Sequence, residues 1–242
     1  MAYTLYITNK NYSSWSMRPW LLMRQLSIPF HEVFAELKPG AIAQPQWAEF
    51  SPIAHVPCLY HEVDGETLVL WESISVVEHL AEEEKGKGVY PADKRARAWA
   101  RSAVGEMHAG FGRIRDEMSM NVGLRIKLGG KGDVSPGLAK DLERVNQLWT
   151  EGLEKFGGPF LAGKEFTAVD AFYTPIVLRI QTFVGAVDWL SESARGYYER
   201  ILELELVKEW VDAALKETGR ETVHDDQSVS GREVLEDLRA KA

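Results

Sequence analysis

The chain has 242 residues, room for one large domain or two small ones, and at 45% hydrophobic it can bury a sizeable core. A net charge of −8 argues against nucleic acid or an anionic membrane as partner. The single cysteine, Cys58, excludes a disulfide framework. No basic, then apolar leader precedes the first strand pattern, and no apolar run approaches the ~20 residues of a membrane span, so a cytoplasmic protein is expected.

Residues 4–8, Thr-Leu-Tyr-Ile-Thr, are β-branched and aromatic and predict a first strand. A polar turn over 9–14 follows. From Ser16 the spacing of Met17, Trp20, Leu21 and Arg24 predicts a helix, with Pro19 in its first turn. The alternation over 32–37 predicts a second strand, broken at Pro39-Gly40, and a short helix is expected over 45–50. Two strands, 58–61 and 67–71, flank Val63-Asp64-Gly65, a hairpin signal. A helix over 72–84 closes a βαβ-ββα unit. Pro57 stands just before the strand at Cys58, where its missing N–H costs no ladder bond, and X-Pro is the bond at which a cis peptide is accessible. A cis bond there would turn the backbone groups of Val56 outward, free to pair with an extended peptide ligand. Glu72 and Ser73 open the next helix, whose free N–H groups favour a carboxylate.

The charged, glycine-rich connector Lys85-Gly86-Lys87-Gly88, ended by Pro91, marks a domain boundary, giving domains 1–85 and 92–242. Beyond it the pattern predicts helices only: 96–120, 138–156, one opened by Phe166-Thr167-Ala168-Val169-Asp170, then 193–205 and 205–218. Thr167 and Asp170 form a capping box, and the nearly polar-free stretch after them predicts a buried central helix bent at Pro175. The glycine-rich stretch 124–137, with Gly129-Gly130-Lys131-Gly132, has no strand in front of it and reads as a flexible turn, not a phosphate loop. A short amphipathic helix through Val234, Leu235 and Leu238 is expected near the end.

A βαβ-ββα unit, Val-Pro before a strand, an acid-serine pair opening a helix, Tyr90-Pro91 in the connector and Thr-Ala-Val-Asp capping a buried helix together resemble a cytosolic glutathione transferase. The stretch Asn11-Tyr12-Ser13-Ser14-Trp15-Ser16-Met17-Arg18-Pro19-Trp20 resembles the serine-type first-helix motif of zeta (maleylacetoacetate isomerase) and related bacterial and fungal members, and Glu106-Met107-His108-Ala109-Gly110-Phe111 resembles a stretch of the same group. The resemblance implies an α/β thioredoxin-like N-terminal domain with a four-stranded mixed sheet, followed by an all-α C-terminal domain. It also implies that glutathione is held by Val56 beside cis Pro57, by Glu72 at its amine and Ser73 at its γ-glutamyl carboxylate, with His55 near the glycyl end.

Only a thiolate attacks well, and a free thiol titrates near ~8.5, so the protein must stabilise a sulfur anion. A serine hydroxyl and a helix N-terminus aimed at the sulfur do this. Ser14 and then Ser13 are the expected donors, with the Asn11 amide as the alternative. Tyr6, in the first strand, reads as core. Cys58 follows Pro57 instead of sitting at the first helix, which argues against a cysteine-type mechanism, and the histidines show no metal-ligand spacing. Met107 and His108 are expected at the acceptor pocket. The expected function is transfer of glutathione to a small hydrophobic electrophile in detoxification, by a homodimer without metal. The alternatives are glutathione-dependent cis-trans isomerisation and a non-catalytic binding protein of the same fold.

Overall fold

A computed structural model describes residues 2–38, 44–128, 134–184 and 187–240. The chain begins with β1 (Tyr3–Ile7), α1 (Ser14–Gln25) and β2 (His31–Phe34), then a 3-10 turn (Pro45–Glu49), β3 (Cys58–Val63), β4 (Glu66–Trp71) and α2 (Ser73–Glu83). These strands form a mixed sheet in the order β2-β1-β3-β4, with β1 parallel to β2 and antiparallel to β3. The thioredoxin-like arrangement expected from the sequence is therefore present. Asp64 and Gly65 take φ of 52° and 85°, the left-handed pair that a tight hairpin requires, and Val63 pairs with Glu66 across it. Successive strand residues face opposite sides of a sheet. Leu5 and Ile7 are wholly buried in the core with Met17 and Leu21 of α1, whereas Tyr6 stacks at 4.4 Å on Phe50 on the other side. The Pro39-Gly40 break lies outside the described residues.

The rest of the chain is mostly helical: α3 (Lys94–Ala109), α4 (Gly112–Glu117), α5 (Pro136–Phe156), α6 (Ala168–Thr182), α7 (Glu192–Glu203), α8 (Glu205–Lys216) and α9 (Thr222–Val229). As expected, α6 is the central helix, buried along almost its whole length. Its start is fixed by Asp170, whose Oδ2 accepts from the Thr167 N–H (2.9 Å) and whose Oδ1 accepts from the Leu161 N–H (2.9 Å). Helix α6 packs on α1, joining the helical region to the sheet. Helix α5 comes close to its neighbours at Gly152, where a Cβ would stand 2.4 Å from the Leu161 carbonyl and 2.5 Å from the Trp99 ring.

Three expectations are corrected. The helix over 96–120 is two helices, broken at Gly110 and Phe111. Gly110 leaves helical geometry with its would-be Cβ 2.7 Å from the Glu106 carbonyl, and Phe111 turns left-handed at φ 59°. The C-terminal region is not all-α: β5 (Leu124–Lys127), β6 (Phe183–Val184) and β7 (Val234–Asp237) make a small sheet in the order β6-β5-β7. The expected terminal amphipathic helix is the strand β7, antiparallel to β5, with every residue exposed. Within the stretch 124–137, Leu124–Lys127 is a strand, while Gly129-Gly130-Lys131-Gly132 lies outside the described residues.

Candidate functional site

The head of α1 is a tight turn. The N–H groups of Tyr12 and Ser13 both donate to the Asn9 carbonyl, and Ser13 caps the helix. Ser13 Oγ accepts from the Ser16 N–H (3.2 Å) and donates to Ser16 Oγ (2.8 Å), so its proton already has an acceptor. Ser14 is different. Its Oγ accepts from Arg179 Nη2 at 3.4 Å, and its own proton meets no acceptor among the described residues. A cation donating to a hydroxyl oxygen aims the hydroxyl proton away from itself and makes it a better donor.

Asn11 is differently placed. Its Nδ2 donates to Asn121 Oδ1 (2.9 Å), and its Oδ1 accepts from the Gly123 N–H (2.8 Å). The backbone N–H groups of Lys10 and Asn11 donate to the two carboxylate oxygens of Glu217, and Tyr12 Oη donates to Asp225 Oδ1 (3.0 Å). Asn121 and Arg239 also donate to that Asp225 oxygen. Both ends of the Asn11 amide are thus engaged inside a buried polar network.

Across the head of α1, the Val56-Pro57 bond is cis, and Pro57 directly precedes β3. Val56 is half-buried and His55 exposed, its Nδ1 2.5 Å from the Ile53 carbonyl. Glu72 precedes α2 with φ 68° and ψ 126°, a conformation that costs a non-glycine residue about 1–3 kcal/mol. Its side chain makes no capping bond. The first intrahelical bond of α2 is Val76 N–H to the Glu72 carbonyl, so the N–H groups before it have no helical partner. Ser73 is fully buried at this end.

Three arginines from different helices meet between these parts, and sequence reading gave no site role to Arg18 or Arg179. Arg18 of α1 donates through Nη1 to Ser73 Oγ (3.3 Å). Arg179 of α6 holds Ser14 and the Met118 carbonyl. Arg115 of α4 caps the end of α3 at the carbonyls of Met107 and Gly110. The half-buried Trp15 indole stacks on the guanidiniums of Arg18 (4.1 Å) and Arg115 (4.7 Å). It meets the edge of the His108 ring at 5.4 Å, and His108 Nε2 stands 3.9 Å from Glu72. Contacts therefore run from Arg18 and Arg115 through Trp15 and His108 to Glu72. Burial and the neighbouring Arg115 push Arg179 down to about 9. Burial, with Arg18 next, pushes His108 down. Met107 is buried in the core, and His108 faces this cluster.

Cys58 is buried with Sγ against the Phe50 carbonyl, and burial pushes its thiol up to about 11. Such a thiol is protonated at neutral pH and is a poor nucleophile. Among the described residues no three His, Cys, Asp or Glu side chains stand together to hold a metal ion, and no helix is long and apolar enough to cross a membrane.

Residues 12–83 match the family model of the glutathione S-transferase N-terminal domain. A curated relative is the glutathione S-transferase-like protein OpS6 of Beauveria bassiana (strain ARSEF 2860), 24% identical over 202 residues, which are 78% of this chain and 84% of that protein. Similar solved structures include glutathione transferase Omega 3C from Trametes versicolor, with TM-score 0.64 at 16% identity over 96% of this chain and 91% of that one. Another is the glutathione transferase URE2P6 from Phanerochaete chrysosporium in complex with oxidized glutathione, with TM-score 0.64 at 16% identity over 88% and 96%. FzlA from C. crescentus has TM-score 0.63 at 16% identity over 94% and 99%. At these identities the structural likeness is one of fold.

Proposed function

We propose, for a chain whose residues 12–83 belong to the glutathione S-transferase N-terminal domain family and whose fold is that of glutathione transferases, that the cleft at the heads of α1 and α2 binds glutathione and activates its thiol for attack on a small electrophile. The observation that carries this reading is the pairing of an uncommitted Ser14 hydroxyl with an unpaired helix N-terminus at Ser73. The backbone of Val56 receives the cysteinyl backbone of the tripeptide, Glu72 the amine, Ser73 the γ-glutamyl carboxylate and His55 the glycyl end. The sulfur then lies at Ser14, whose hydroxyl donates to the thiolate while Arg179 holds its oxygen. The N-terminal dipole of α1 adds to the same effect. Each donor lowers the thiol pKa by roughly one or two units from ~8.5, which makes the thiolate abundant at neutral pH. The thiolate attacks the electrophilic carbon, the sulfur–carbon bond forms, and the leaving group or a proton-accepting carbon takes up the displaced electron pair. The arginines, Trp15 and His108 make the acceptor's side of this site polar and cationic.

The same reading includes the division into domains 1–85 and 92–242, a cytoplasmic homodimer, and Ser13 as the cap that sets Ser14's orientation. The Asn11 alternative has less support, because its amide is engaged with Asn121 and Gly123. A binding protein without turnover is the competing outcome. Calorimetry at millimolar glutathione tests the site: the protein binds, and Glu72→Ala weakens binding about tenfold. No heat of binding from a folded sample overturns the reading. Binding without conjugation across a panel of electrophiles, including a maleyl-type cis double bond, leaves the non-catalytic alternative.

A further inference from the structure

His108 lies in the last turn of α3 and faces the head of α2. Its Nδ1 is buried without a partner among the described residues, so the ring meets the site through Nε2 alone. Nε2 stands 3.9 Å from Glu72 Oε2, and the Trp15 indole meets the ring at 5.4 Å. The two side chains of the pair are 25% and 47% exposed, so a proton reaches the one and a ligand reaches the other. Among the described residues no other side chain forms an ion pair with Glu72, and its carboxylate makes no capping bond.

The charged groups that act on the ring are Arg18 of α1, Glu72 before α2 and Arg115 of α4. Burial, and then Arg18, holds the ring below its ordinary 6.5, so it is neutral at pH 7 and takes up a proton as the medium turns acid. A neutral ring competes weakly for a carboxylate. A protonated ring at this distance is attracted to Glu72 and repels any second cation brought to the same oxygens. In the glutathione reading, that second cation is the ammonium of the ligand.

We propose that His108 is a positioning residue that acts on the ligand through Glu72: the neutral ring leaves the carboxylate to the ligand's ammonium, and the protonated ring claims it, so the site loosens its hold on glutathione in acid. This rests on the glutathione reading of the site. The coupling is reciprocal, so the bound ligand opposes protonation of His108 by the same factor.

The test is calorimetry on the full chain at pH 7.5 and pH 5 with two thioethers, which carry no titrating thiol. One is S-methylglutathione. The other is its analogue built on glutaryl-cysteinylglycine, which keeps the terminal carboxylate and lacks the amine. His55, at the glycyl end, acts on both alike, so the ratio of the two affinities isolates the ammonium. In the parent protein the ratio falls about three- to tenfold from pH 7.5 to pH 5. His108→Gln holds the ratio within twofold across that range. His108→Lys, a permanent cation, has the low ratio already at pH 7.5. The nuclear magnetic resonance titration of His108 in the parent protein moves to lower pH on adding S-methylglutathione, by about 0.5–1 pH unit for the same factor. A residue that only packs moves neither the ratio nor this titration. A parent ratio that does not change with pH overturns the proposal, as does a fall that persists in His108→Gln or a His108 titration that the ligand leaves in place. Absence of S-methylglutathione binding by the folded parent at pH 7.5 overturns the glutathione reading and this proposal with it.

Discussion

The turn that leads into α1 has two flanks built on opposite plans. On one, residues 9–12 are locked by groups from far along the chain: Glu217 takes two backbone N–H groups, Asp225 takes Tyr12, and Asn121 and Gly123 take the Asn11 amide. The donors and acceptors there are matched, with part of the network wholly out of solvent. On the other flank, Val56 is half-buried, Glu72 holds a left-handed backbone without a capping bond, Ser14 has a proton to give, and Arg18 has two unmet donors. A satisfied network fixes geometry and has nothing left for a ligand. An unsatisfied one is costly to keep and is retained where something binds. The difference separates the scaffold of this site from its working face.

Breaking the locked flank has the largest expected effect. Asp225→Ala leaves Tyr12, Asn121 and Arg239 short of an acceptor. It costs about 3 kcal/mol and lowers the thermal midpoint by roughly 6–12 °C. Turnover falls with it, because the head of α1 loses its support. Urea unfolding that agrees with the parent protein to within ~0.5 kcal/mol contradicts the scaffold role.

On the working face, Ser14→Ala lowers kcat about 10- to 100-fold and leaves glutathione affinity within about threefold, since the hydroxyl bond is stronger to a thiolate than to a thiol. The bound thiol's titration, followed by thiolate ultraviolet absorbance, moves to higher pH. Ser13→Ala behaves as a lost cap, with about 1 kcal/mol of stability gone and little change in the thiol. If Ser13→Ala shifts the thiol and Ser14→Ala does not, the two serines exchange roles.

The smallest effect concerns acid. Burial and the cations Arg18 and Arg115 hold the native pKa of His108 below its ordinary 6.5. The native state then binds fewer protons than the unfolded chain in the window below 6.5. This contribution to stability is complete above pH 6.5 and is lost as the pH falls through the two values. His108 is partly exposed, so the change amounts to less than about 1 kcal/mol. His108→Gln flattens the fall in urea midpoint between pH 6.5 and 5. An equal fall in both proteins places the acid sensitivity elsewhere.

Local rules brought out most of the sheet region and its helix starts. Asp64-Gly65, Pro57 before β3, and Thr167 with Asp170 each act through nearest neighbours, so their sequence signals survive folding. What stayed hidden was long-range. Four residues of alternation at Leu124–Lys127 are too few to stand out as a strand, and β6 has only two residues. Val234, Leu235 and Leu238 have helical spacing, yet pairing with β5 decides their conformation. Arg18 and Arg179 carry no site signal of their own in the sequence, because only the packing of α1 on α6 brings them together. The break at Gly110 was readable in Gly110-Phe111-Gly112, where two glycines flank the residue that turns left-handed. The apolar periodicity around it masked that signal.

The pairing of Lys10 with Glu217 spans 207 residues of sequence. At about 5–20 residues per second of synthesis, Glu217 leaves the ribosome roughly 10–40 s after the turn it must hold. The strands and helices of the first 85 residues are long available by then and are free to fold. The head of α1 must wait. A nascent chain therefore carries its sheet well before it carries an ordered turn there, and the proposed site is completed late, when the far segment docks.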